Sequence, residues 1–145
     1  MNKKLWIGFI VIFIAMAVLN MIIHGFILSS TYQTDEVSKI MRPESEMNSM
    51  MWIYYVVYII QAFFFAFIFS KGYEGKGIIE GVRYGLYMGL LMATPMAYAS
   101  YAMYPMPYSL ALQWFIYGMI QYIILGILIA LVYEKNRQQH PLRNF

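Results

Sequence analysis

GIIEGVRYGLYMGLLMATPMAYASYAMY, from Gly77 to Tyr104, decides how the rest of the chain is read. Every fourth residue in its middle is small: Gly81, Gly85, Gly89, Ala93 and Ala97 form a ladder inside an otherwise apolar helical run. Lipid tails are as apolar as leucine, so helices in a bilayer associate where small side chains let their backbones approach. The ladder therefore predicts the packing helix of a membrane protein. Four residues overshoot one turn, so the ladder drifts about 40° per step and predicts a partner crossing at roughly −40°.

The surroundings agree with that solvent. A chain of 145 residues that is 61% hydrophobic and 12% charged cannot hide its apolar surface in a single water-soluble core. Four runs approach the ~20 residues a bilayer requires: Leu5 to Leu28, Met50 to Phe69, Tyr84 to Tyr104 and Leu110 to Tyr133. The expected class is all-α, a single transmembrane domain over residues 1–145 built as an antiparallel up-down-up-down four-helix bundle. Cysteine is absent, which removes disulfides, thiolate metal sites, thiol catalysis and a lipoprotein anchor together.

A net charge of +3 is not a nucleic-acid signature here, because the cations flank the spans. Lys3, Lys4, Lys71, Lys76, Arg83, Lys135, Arg137 and Arg143 fall on one side of the four-span scheme, and only Lys39 and Arg42 on the other. The positive-inside rule then places both termini in the cytoplasm, with the loop 29–48 and the turn 104–109 outside an inner membrane.

The first run begins like a signal peptide, with Lys3 and Lys4 ahead of it and Ala15-Met16-Ala17 as a mimic of a cleavage site. Its apolar stretch continues to Leu28 with no polar region before that site, so an uncleaved anchor helix is expected. In the external loop, Thr34-Asp35-Glu36 reads as the capped start of a short helix. Asp35 and Lys39 would pair there, and Val37, Ile40 and Met41 would lie on the membrane or a partner. Residues 71–77 read as a flexible glycine-rich turn, since their spacing matches no phosphate-binding loop. Glu80 and Arg83, one turn apart, are expected to form an exposed pair within reach of Lys76. Pro95 should kink its helix by removing a donor to Leu91, with Thr94 helping to satisfy that carbonyl. The small ridge Gly118, Gly126 and Ala130 in the last span is the expected partner of the ladder.

Each span carries one uncharged polar residue near a common level. At 1.5 Å per residue from the outer ends, Gln61 and Gln121 lie ~16 Å deep, Thr94 ~15 Å and Asn20 ~12 Å. Such groups are costly against lipid, so Asn20, Gln61, Thr94 and Gln121 are expected to point inward as interhelical glue or as the floor of a pocket. The wall of that pocket would hold His24, Tyr58, Ser100 and Tyr101, with Asn20 beside His24. Methionines 21, 47, 50, 51, 92, 96, 103 and 106 crowd the same half. Thioethers suit Cu(I), yet these spacings repeat no copper motif, and methionine is also a filler of apolar cores. Haem needs axial ligands, and His24 is the one histidine within a span, His140 lying in the basic tail. No metal or cofactor is required by the residues. Tyrosines gather at both interfaces as an aromatic belt.

The spans hold no Asp, Glu, Lys or Arg away from their ends, so no catalytic set is expected. Small multidrug transporters of four spans depend on a carboxylate in the first helix, where this chain has Asn20 and His24. Quinone-linked disulfide formers need cysteines. The pattern Glu80-Gly81-x-Arg83-Tyr84-Gly85-x-x-x-Gly89, then Pro105 and Pro107, then Trp114-Phe115 with Gly118 and Tyr122, resembles that of uncharacterised four-helix bacterial inner-membrane proteins over the second half of the chain. These are packing and turn residues, and the resemblance implies no activity. The expected function is a non-catalytic subunit or scaffold of a membrane complex. Its partners would be the bilayer and other membrane subunits or a second copy, and not nucleic acid. The alternative is a binding protein for a quinone or haem around His24, and the third is a small transporter or channel.

Overall fold

The computed structural model describes residues 3–138, with side chains through Lys135. Its elements are α1 (Lys3–Asn20) running into a π-helical stretch (Met21–Ile27), the short α2 (Ser29–Tyr32), α3 (Asp35–Ser38) and α4 (Glu44–Ser49), then α5 (Met51–Gly72). Next come α6 (Ile78–Thr94), a second π stretch (Pro95–Ala99), α7 (Ser100–Met103) and α8 (Tyr108–Gln138). The described chain is all-helical, and three helical segments are long and apolar enough to cross a membrane: Lys3–Ile27, Met51–Gly72 and Tyr108–Lys135.

The expected third span, Tyr84 to Tyr104, is not a single helix of that kind. Its helix starts earlier, at Ile78, and α6 stops after 17 residues at Thr94. Pro95 has no N–H for the Leu91 carbonyl, and the backbone continues in π register for five residues before α7 resumes the α form. Thr94 does not compensate, because its side chain caps nothing and is exposed.

The ladder on α6 lies against α8, the most extensive contact between any two elements. A Cβ on Gly81 would stand 2.8 Å from that of Ala130, and one on Gly85 2.6 Å from the Ile123 Cα. From the other side, a Cβ on Gly126 would stand 2.8 Å from the Gly85 nitrogen, and one on Gly118 2.8 Å from the Ala93 Cβ. Real Cβ atoms do not come this close to backbone, so the small residues are what let the two helices touch. Helix α1 packs on α5 and on α8. Gly8 is their meeting point, where a Cβ would reach Ile129 at 2.5 Å and Ala66 at 3.8 Å. Tyr84 joins α6 to α5 by donating to the Phe65 carbonyl at 2.6 Å, with its ring 4.7 Å from that of Phe65.

Two buried clusters result. The larger contains Leu5, Ile12 and Met16 of α1, Ala62 to Phe69 of α5 and Tyr122 to Tyr133 of α8. The smaller joins Val37 to Met106, Leu110 and Ala111, with Tyr32, Ile40, Met41 and Trp114 packed around it. Val37 is thus covered by this chain's own 105–111 turn, not by the membrane or a partner as expected, because α3 folds back over the start of α8. No Asp35–Lys39 ion pair forms among the described residues; Arg42 pairs with Glu46 at 3.3 Å instead.

Candidate functional site

At the lysine-rich end, the turn after α5 closes as a clasp on α6. Gly75 and Gly77 have φ of 78° and 68°, and the Gly77 ψ of −144° puts it in a region open essentially to glycine alone. These angles wrap the turn around Glu80, the third residue of α6, which is only 3% exposed. Its carboxylate accepts from the backbone N–H of Glu74 at 2.7 Å and of Lys76 at 2.8 Å. This is the capping-box logic of a glutamate at the third helical position reaching back to free amides, favoured further by the helix dipole. The expected Glu80–Arg83 pair is therefore absent. Arg83 donates to Glu74 at 2.7 Å, and Lys76 also bonds Glu74. These two cations hold the exposed Glu74 carboxyl below its ordinary range. Lys4 sits 5.9 Å over the Tyr133 ring and Lys71 5.1 Å over Phe67, so the cations of α1, α5 and the clasp share one end.

The opposite end holds a hydrogen-bonded triad. Trp114 Nε1 of α8 donates to the Tyr32 hydroxyl at 2.9 Å, and the same hydroxyl lies 2.5 Å from His24 Nδ1, with the two rings stacked. Tyr32 is half-buried, and burial pushes its phenol up to about 12 despite the Trp114 donor, so it keeps its proton at neutral pH. The direction of the Tyr32–His24 bond follows the imidazole tautomer: Nδ1 accepts from the hydroxyl when the ring proton is on Nε2 and donates to it when the proton is on Nδ1. Beside the triad, Thr31 donates to the Gln113 side chain at 3.3 Å.

The remaining residues nominated from sequence do not close around His24. Asn20 is half-buried and spends its amide on the Met16 carbonyl of its own helix, 2.9 Å away. Tyr58 packs against Tyr54 and Tyr55, each 6.4 Å between ring centres. Tyr101 is exposed, edge-on to Tyr108 at 5.7 Å, and Ser100 is half-buried on α7.

The four-residue polar layer is not bonded together. Thr94 faces outward because it is one residue, about 100°, out of phase with the buried ridge that ends in Ala93 and Ala97. Gln61 is half-buried. Gln121 is only 7% exposed, yet its amide makes no hydrogen bond to the chain and is not sealed off. Sequence reasoning passed over Tyr32, Trp114 and Gln113. Their one signal was position, since Tyr32 and Trp114 stand at the two ends of the segments that bracket the outer loop and the proline turn.

A cavity of about 170 Å³ at the start of α5 is lined by Arg42, Met47, Met50, Ile53 and Tyr54, of which Met47 and Met50 belong to the methionine group weighed for copper. Among the described residues no three His, Cys, Asp or Glu side chains gather as a metal site. The fold and both ends define an all-helical protein with membrane-length helices. The chain matches no protein-family model, no curated protein and no solved structure.

Proposed function

We propose that the chain is a non-catalytic integral membrane protein of the inner membrane, a four-helix bundle with both termini cytoplasmic, serving as a subunit or scaffold of a membrane complex. The α6–π–α7 segment would be the fourth, kinked membrane passage. The gathering of Lys4, Lys71, Lys76 and Arg83 at one end supports that orientation.

One observation carries the subunit reading: no residue of α5 from Met51 to Gln61 is buried. A helix that faces lipid on one side and protein on the other hides one stripe. Over these three turns only Tyr58 and Gln61 are partly covered, whereas the same helix is buried at Ala62, Phe65, Ala66 and Phe69. The segment is thinly covered by its own chain and offers Trp52, Val56 and Ile60 to a neighbour. A second membrane polypeptide, or a second copy, is the partner that covers such a surface with helix packing.

A photo-crosslinking residue at Val56, activated in native membranes, should give one discrete protein adduct, while the same probe at Leu90 of α6 should give lipid adducts alone. Lipid adducts alone at both positions would remove the partner from α5.

A further inference from the structure

The short helix α4 meets the start of α5 at the cavity of about 170 Å³ lined by Arg42, Met47, Met50, Ile53 and Tyr54. Its lining is graded. Arg42 stands before α4, whereas Ile53 and Tyr54 lie in the first turn of the membrane-length helix Met51–Gly72. One part of the wall is therefore a cation on a polar connecting segment, and the other is the apolar beginning of a span. Arg42 donates to Glu46 at 3.3 Å, which uses one of the five N–H groups of a guanidinium. Among the described residues neither the rest of that guanidinium nor the Tyr54 hydroxyl makes a further hydrogen bond. Beyond the cavity, Ile53, Val57 and Phe64 form an exposed stripe along α5, about 80° round the helix from Trp52, Val56 and Ile60. From Ile53 to Phe64 the rise is about 17 Å, close to the depth of one leaflet's hydrocarbon.

We propose that this cavity binds the head end of a zwitterionic phospholipid with a primary ammonium, of the phosphatidylethanolamine class, one acyl chain of which lies on the Ile53, Val57 and Phe64 stripe. Three observations select that occupant. The size suits a head end: an apolar cavity of about 150 Å³ holds one benzene, so 170 Å³ leaves the chains outside, where the stripe receives one. The charges are paired in the same way on both sides. Arg42 only donates and its fork fits a phosphate, while Glu46 beside it only accepts and fits the ammonium two carbons away from that phosphate. A quaternary ammonium would bring Glu46 no N–H. The surrounding charge points the same way, since residues 29–49 carry four acids, Asp35, Glu36, Glu44 and Glu46, against two bases, Lys39 and Arg42. That excess repels a lipid of net negative charge and leaves a neutral zwitterion unopposed. The Tyr54 phenol is a further donor for the phosphate or an ester carbonyl. Binding needs this chain alone and uses a different face of α5 from the one offered to a neighbour.

The test uses the full chain in nanodiscs of phosphatidylethanolamine and phosphatidylglycerol in equal parts, with identical acyl chains. Benzoylphenylalanine replaces Val57, which lies on the stripe and outside the cavity, or Leu90 of α6 as the reference for ordinary lipid contact. Mass spectra of the photo-adducts give the ratio of the two lipids at each position. At Val57 the ethanolamine lipid should exceed the glycerol lipid by about threefold relative to Leu90, the scale of one exposed ion pair. Arg42→Gln and Glu46→Gln should each return the ratio to the Leu90 value, and Lys39→Gln, off the cavity, should leave it raised. The exchange Arg42→Glu with Glu46→Arg decides, because it keeps an ion pair but puts the acid in the cavity wall; the ratio should again fall to the reference. All these side chains are exposed, so melting temperatures should stay near that of the parent. Equal ratios at Val57 and Leu90 in the parent, or a raised ratio that survives the charge exchange, would mean an ordinary lipid shell and overturn the proposal. So would a protein adduct at Val57, which would put a second copy on the stripe.

Discussion

Gly126→Ala should drive α8 off α6 and cost the protein a large part of its stability. The added methyl would overlap the Gly81 carbonyl and stand 2.8 Å from the Gly85 nitrogen and 2.9 Å from the Gly85 Cα. All three are backbone atoms in a helix that cannot yield locally, so the whole contact must open. Overpacking of a core costs about 1–3 kcal/mol where side chains can rearrange, and a backbone clash belongs at or above the upper end. Gly85→Leu, with its larger side chain against Tyr122 and Ile123, should prevent assembly altogether. Gly25→Ala is the matched control: its Cβ would meet only the Met21 Cγ, at 3.9 Å. Thermal unfolding in one detergent should separate Gly126→Ala from Gly25→Ala by many degrees, and equal melting temperatures would show that the α6–α8 contact is not what holds the helices together.

The second large effect is expected at Glu80. Glu80→Ala removes the acceptor from two amides at once, in a site where little solvent replaces it. Hydrogen bonds to a charged group contribute about 1.5–3 kcal/mol each, so a loss of roughly 3 kcal/mol or more is expected. Glu80→Gln should lose nearly as much, because its NH₂ group would face a backbone donor. The readout is local. Trypsin should cut after Lys71 or Lys76 in both variants and spare the parent, in which Glu80 ties down the Glu74 and Lys76 amides. Equal protection in all three would mean that the clasp is held by Glu74 and its cations instead.

What could be read in the sequence follows from how local each cause is. The all-helical class and three membrane-length helices are legible because composition and run length act residue by residue, whatever the neighbours. The ridges of α6 and α8 are visible as spacings, and the backbones do meet at those glycines. The two π stretches are hidden, since a register slip is a property of the hydrogen-bond ladder and leaves little trace in composition; Pro95 marks one of them, and nothing marks the one at Met21. Glu80 was misread for a related reason. Spacing pairs it with Arg83, whereas its position at the third residue of a helix beginning at a glycine gives it to the backbone.

The candidate site was partly legible. His24 stood out as the histidine within a span, but its partners Tyr32 and Trp114 come from segments 82 residues apart, which only the fold brings together. Thr94 was assigned inward on polarity alone, although the phase of the ladder already placed it outside.

A native mass spectrum of the protein released gently from its own membrane weighs the partner reading most directly. The expected spectrum has this 17.0 kDa chain within a larger peak that contains another polypeptide or a second copy. A spectrum of the single chain alone, under conditions that preserve other membrane complexes, would contradict the assignment of α5 as a subunit interface.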